Sequence, residues 1–275
     1  MPELEDPIVY PPVWSCIYCG STEPPLSKEH PFPAGLGGQY ILPRASCESC
    51  RKITQKIEEA CLRPMLGAFR IRLNVPTQHP EQRPDTLPLA VQERRDSSEH
   101  TIFDIPADDH PSGAPFPIYP VPGILESREP RETHNITVKV IIPGIMRLNK
   151  MMKQFPGKGV RISELNPVLF ARMLAKIAHG ICFGEFRGMP TGFKPLLLDV
   201  ILAKSGDFTQ VVGCLPEIPE PQPGVPHTVS LNRIEYDGKS FLCADLRIFA
   251  FLATPVYRLV YAVGPLQEGI PSLEK

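Results

Sequence analysis

Cys16-Ile17-Tyr18-Cys19 and Ala45-Ser46-Cys47-Glu48-Ser49-Cys50 enclose the tract Lys28-Glu29-His30-Pro31-Phe32-Pro33-Ala34-Gly35-Leu36-Gly37-Gly38. Each C-x2-C pair puts two thiolates on one tight knuckle, and two knuckles close a tetrahedral zinc site without further ligands. Cys16, Cys19, Cys47 and Cys50 are therefore expected to hold one structural zinc as scaffold. Disulfides fit less well, because Met1 to Tyr10 is acidic and proline-bearing and carries no secretory apolar core. A thioredoxin-like redox site would need a single pair between a strand and a helix. The expected location is the cytoplasm. The spacer from Gly20 to Ser46 has room for a hairpin, and a histidine preceded by a carboxylate on that hairpin is rigidly mounted.

These residues, with Leu42-Pro43 and Lys52-Ile53, resemble the HNH endonucleases that carry a four-cysteine zinc knuckle, over roughly residues 13 to 72. The regions Phe170 to His179 and Phe249 to Val263 are similar to the uncharacterised downstream part of some bacterial HNH proteins, which implies no activity. The resemblance implies a ββα-metal site, in which two strands and a helix grip one Mg²⁺ or Mn²⁺ against the scissile phosphate. His30 matches the general base that activates water, and an imidazole titrates in the range that role needs. Glu29 matches the acidic ligand of the ion. Pro31 and Pro33 stiffen the backbone after the histidine.

The chain departs from that pattern at two places. The family's central asparagine has no counterpart in Gln39-Tyr40-Ile41-Leu42-Pro43-Arg44, and the position after the last cysteine, an asparagine or histidine in the family, is Arg51. A guanidinium has only donors and cannot ligate a metal. Gln55 and Glu58 are candidates to complete the ion's shell by helical spacing, and Arg51 is a candidate phosphate clamp. The resemblance thus implies a metal-dependent endonuclease that hydrolyses phosphodiester bonds in DNA. A zinc-stabilised nucleic-acid-binding or adaptor protein with a degenerate nuclease site is the alternative, and a purely structural zinc protein that binds another protein is the third reading.

A helix is expected from Lys52 to about Arg63, with Ile53, Ile57, Ala60 and Cys61 on its apolar face and Pro64 ending it. Ala68-Phe69-Arg70-Ile71-Arg72-Leu73 alternates as a short strand does, with both arginines on its exposed face. The 275 residues, 42% hydrophobic, exceed what a small zinc module needs for a core, so two domains are expected. They are a zinc-stabilised module over 13–75 and an α+β domain over 136–275, joined by a proline-rich connector over 76–135 with short extended pieces such as Thr101 to Ile105. The fold class is α+β.

In the second domain, strand Ile136 to Ile142 precedes a helix over Asn166 to Cys182. Asn166 is placed to cap it, and Pro167 suits its first position. Asp237-Gly238 marks a hairpin between Val229 to Tyr236 and Ser240 to Leu252, and Val256 to Val263 is a further strand. Cys61, Cys182, Cys214 and Cys243 are expected as core thiols. Arg172 and Lys176 interrupt the long apolar helix, so no transmembrane span is expected. The net charge of -1 argues against indiscriminate binding to polyanions, but its distribution is uneven. Ten basic against two acidic residues from Ile136 to Lys194 give +8, and five against eleven from Leu73 to Asn135 give -6. The +8 stretch suggests either a face toward nucleic acid or ordinary solvated charges.

Overall fold

A computed structural model describes residues 6–77, 80–92, 99–131, 135–153, 156, 158–161 and 163–266. Strands β1 (Ile8–Val9), β2 (Leu26–Glu29) and β3 (Tyr40–Cys47) form a sheet in the order β1-β3-β2, with β1 parallel and β2 antiparallel to β3. β3 runs straight into helix α1 (Glu48–Leu62), whose N-cap is Cys47. The helix starts a turn ahead of Lys52. Glu48 in its first turn suits the positive end of the helix dipole and pairs with Arg51 and Lys52, which supports that extra turn.

Past Pro64 the chain re-enters a helix, α2 (Gly67–Arg72), in place of the expected strand. Six residues of alternating pattern fit either conformation, and tertiary contacts decide between them. Phe69 is buried edge-on against Phe116 and Phe249, and Arg70 turns back to the carbonyl oxygens of Gly35 and Leu62. A strand would present Arg70 and Arg72 together to solvent; here both are half-buried.

The proline-rich stretch carries β4 (Thr86–Gln92) and β5 (His100–Pro106), an antiparallel pair that covers the expected extended piece, and then β6 (Ala114–Ile118). β6 pairs antiparallel with β7 (Thr137–Ile141). Helix α3 (Ile145–Met152) follows, and β8 (Gly159–Val160) joins the other edge of β4. Phe116 and Tyr119 lie in the same hydrophobic cluster as Leu36 and Tyr261, so one core draws on the beginning, middle and end of the chain.

Helix α4 (Pro167–Glu185) is the centre of that core. The Asn166 side chain accepts from the Leu169 N–H at 3.0 Å, and Pro167 sits in the first turn. Phe170, Met173, Leu174, Ile177 and Cys182 are fully buried, and each large apolar side chain so placed contributes about 1.5–3 kcal/mol. Despite Arg172 and Lys176, α4 is long and apolar enough to cross a membrane by length and hydropathy alone. Most of its residues are buried within the fold, as in the core helix of a packed domain.

After β9 (Lys194–Pro195), α5 (Leu198–Ile201) and β10 (Val212–Cys214), β11 (His227–Tyr236) and β12 (Lys239–Ile248) form a long hairpin. Its turn, Asp237-Gly238, has φ of 48° and 68°, the left-handed pair that a type I′ turn requires. β13 (Tyr257–Pro265) completes a five-stranded sheet in the order β10-β13-β12-β11, with β9 also on β13. α4 packs on β12 and β13, and Phe170 meets Tyr257 edge to face at 5.5 Å. With five α-helices and four sheets among the described residues, the fold is mixed α+β.

Candidate functional site

The four N-terminal cysteines converge. Their sulfurs lie within 4.8 Å of one another, and those of Cys19 and Cys47 stand 3.7 Å apart. Zinc at about 2.3 Å from each thiolate in a tetrahedron separates the sulfurs by about 3.8 Å. The first pair sits on a turn pinned to β3 by the Ile17 N–H donating to the Ala45 carbonyl at 2.8 Å. The second pair spans the end of β3 and the first turn of α1. Burial and then the neighbouring Cys16 hold the Cys50 thiol well above its ordinary pKa. Four thiolates within 4.8 Å of one another repel and need a dication to coexist, and the donor set fits structural zinc. Cys61, Cys182, Cys214 and Cys243 are buried apart from this cluster.

Glu29 and Glu58, both expected near a catalytic ion, also converge, and what they converge on is an ammonium. Lys176 Nζ stands 2.7 Å from Glu29 Oε1 and 2.7 Å from Glu58 Oε1. It also donates to the backbone carbonyl of His30, and lies 3.3 Å from that of Pro31. Lys176 is fully buried; the Glu29 side chain is 6% exposed and that of Glu58 24%. Burial opposes the charged form of the lysine. The two carboxylates and their hydrogen bonds outweigh it, and the pKa ends above the ordinary value. The ammonium thus has oxygen partners of the kind a hard divalent cation would take, two carboxylates and a carbonyl. A metal ion in that position must first displace a paired, buried charge.

Helix α4 reaches this site because one of its faces is cut away. A Cβ on Gly180 would lie 2.8 Å from Pro31 Cβ, so the loop after His30 rests directly on the helix backbone. One turn earlier Lys176 enters between the carboxylates, and His179 donates through Nε2 to the Ile17 carbonyl at 2.8 Å. His179 is held down to about 4, first by burial, so it is a neutral donor at pH 7. Tyr18 packs on the His179 ring at 5.7 Å. Burial and then Glu29 and Glu58 hold its hydroxyl well above its ordinary pKa.

His30 follows β2 directly and is half-buried, and its Nδ1 is buried without a partner among the described residues. Burial first, then the positive charges of Lys28 and Lys176, lower its pKa. Arg51 points to solvent and forks onto Glu48, with Nη2 2.7 Å and Nε 3.0 Å from Oε2. Gln55 is exposed and donates to Glu59 at 3.1 Å. Neither Arg51 nor Gln55 joins Glu29 and Glu58. The +8 stretch is also divided: Lys176 is buried, Arg172 donates to the Ile201 carbonyl at 2.8 Å, and Arg161 pairs with Glu164.

Lys176 is a member of the site that sequence reasoning does not place there. The signal is present, since a lysine among Ala175, Ile177 and Ala178 on an otherwise apolar helix must find a buried partner or leave the core. Comparison with protein-family models, with curated proteins and with solved structures finds no match to this chain.

Proposed function

We propose that this chain is a zinc-stabilised nucleic-acid-binding protein, built on a nuclease-like arrangement of two strands and a helix, whose acidic pair is occupied by Lys176 in place of a catalytic ion. One observation carries this reading: Lys176 Nζ sits 2.7 Å from both Glu29 and Glu58. A divalent ion would have to expel a fully buried ammonium, and the missing asparagine and Arg51 offer it no compensating ligands. Nucleic acid is supported by the residue pattern around the knuckle and by the cations on its exposed surface, Lys28, Arg44, Lys52 and Lys56. The test is to measure binding of labelled DNA and RNA by zinc-loaded protein with and without Mg²⁺. Binding that does not require Mg²⁺, weakened by it only as by other salts, and no strand cleavage are the expected results.

A second reading, metal-dependent DNA hydrolysis, is favoured by His30. Its lowered pKa makes it a neutral imidazole at pH 7, as a general base must be. In that reading Glu29 holds Mg²⁺ or Mn²⁺ once Lys176 withdraws, and Arg51 clamps phosphate. Cleavage in Mn²⁺ that is lost in His30→Ala with zinc retained would replace the first reading by the second.

A further inference from the structure

Beside the zinc knuckle, Trp14 is 59% exposed, and Arg44 Cζ lies 4.3 Å from its ring centroid. Trp14 is the chain's single tryptophan. Both residues hold left-handed backbone, Trp14 at φ 64° and Arg44 at φ 51°. That region is uncommon for large side chains and persists where surrounding structure enforces it. The enforcement is visible: the Val13 N–H donates to the Pro43 carbonyl at 3.0 Å and the Ile17 N–H to the Ala45 carbonyl at 2.8 Å. These bonds pin the segment to β3 on either side of the pair. Cys16 and Cys47, which flank it, are tied into the cysteine cluster. A large aromatic and a cation are thus mounted rigidly on a surface where burial does nothing for them.

We infer that Trp14 and Arg44 form a stacking platform for the bases of single-stranded nucleic acid. This inference rests on the nucleic-acid reading above and names its substrate class. Arg44 lies over one face of the indole and leaves the opposite face for a base, while the edge donors of the guanidinium can reach phosphate oxygens. Bases in a duplex are already stacked on one another and cannot use that face, so single strands are the ligand that the pair distinguishes. Both side chains are held before binding, which lowers the ordering cost of recognition.

The experiment uses the full zinc-loaded chain, with Trp14 as its own reporter. Titration with oligothymidylate should quench tryptophan emission to saturation, and a duplex of equal length should quench it far less. With a labelled oligonucleotide, Trp14→Ala should weaken single-strand binding by about ten-fold or more, while Trp14→Phe keeps most of the affinity. Arg44→Ala should weaken it and lower its salt dependence. Zinc content and the far-ultraviolet spectrum of each variant report that the knuckle is intact. If Trp14→Ala binds single strands as wild type does, the platform is overturned and the nucleic-acid reading stands. If wild type binds neither single strands nor duplex at low salt, that reading fails and the platform with it. If emission responds to protein concentration and not to oligonucleotide, the pair is a contact between protein molecules and the inference is wrong.

Discussion

The Nζ of Lys176 stands 2.7 Å from Oε1 of Glu29, an ion pair that joins the middle of α4 to the last residue of β2. It connects the centre of the core to the strand that His30 follows. Breaking such a pair from one side leaves an uncompensated charge in a low-dielectric interior, which costs far more than the pair contributes over an apolar substitute.

Lys176→Met should therefore destabilise the protein by about 3–5 kcal/mol in urea unfolding. Adding Glu29→Gln to that variant removes the more buried of the two stranded charges and should recover part of the loss. The raised pKa of Lys176 gives the pH dependence its sign. Stability from the pair is complete below the lysine's ordinary range near 10.5 and is lost only as pH rises through the higher folded value. A midpoint that is insensitive to Lys176→Met would contradict the burial of this charge.

Metal analysis should find one zinc per chain. Chelation should unfold the segment around β2, β3 and α1, because the binding energy of a closed four-thiolate site is folding energy. Replacing Cys16 or Cys50, the two buried ligands, should abolish zinc retention. Fully reduced protein without zinc would contradict the assignment.

Acid should destabilise the fold between about pH 6.5 and 4, and His227 is one cause. Its Nε2 donates to the Leu36 carbonyl at 2.7 Å and its Nδ1 accepts from the Phe249 N–H at 3.1 Å, so the neutral ring is doubly bonded. Burial holds it down to about 4. The unfolded chain therefore takes up a proton first as pH falls. This histidine's stability is present above about 6.5 and lost toward 4, at up to about 1.4 kcal/mol per pH unit within the window. His227→Gln should flatten that part of the profile, measured as the urea midpoint from about pH 7 to 4.5.

The parts of this fold legible in sequence are those set by local chemistry. Asn166-Pro167 announces α4, Asp237-Gly238 announces the β11–β12 hairpin, and two C-x2-C pairs announce four converging sulfurs. Where distant residues decide, the signals are weak or misleading. The α2 segment alternates like a strand, and Phe69 finds Phe116 and Phe249 only after folding. Glu29 is singled out by the family resemblance and Glu58 by helical spacing, but the charge between them comes from a helix far along the chain, and no local pattern names those two as its partners.

Arg51→Ala should leave the urea midpoint nearly unchanged, since its pair with Glu48 is solvent-exposed on both sides. If Arg51 also meets phosphate, oligonucleotide affinity should fall and its salt slope should drop by about 0.7, the amount that one neutralised phosphate of a single strand supplies. An unchanged slope would assign Arg51 to the helix surface alone.

The occupation of the acidic pair by Lys176 is tested most directly by Mn²⁺ titration of zinc-loaded protein, followed by electron paramagnetic resonance of the free ion. Wild type is expected to leave all added Mn²⁺ free at micromolar to low-millimolar concentrations, and Lys176→Met to bind one ion that Glu29→Gln in the same background removes. One Mn²⁺ bound by the wild-type chain and lost in Glu29→Gln would contradict the account, because the carboxylates would then serve a metal with the lysine still in place.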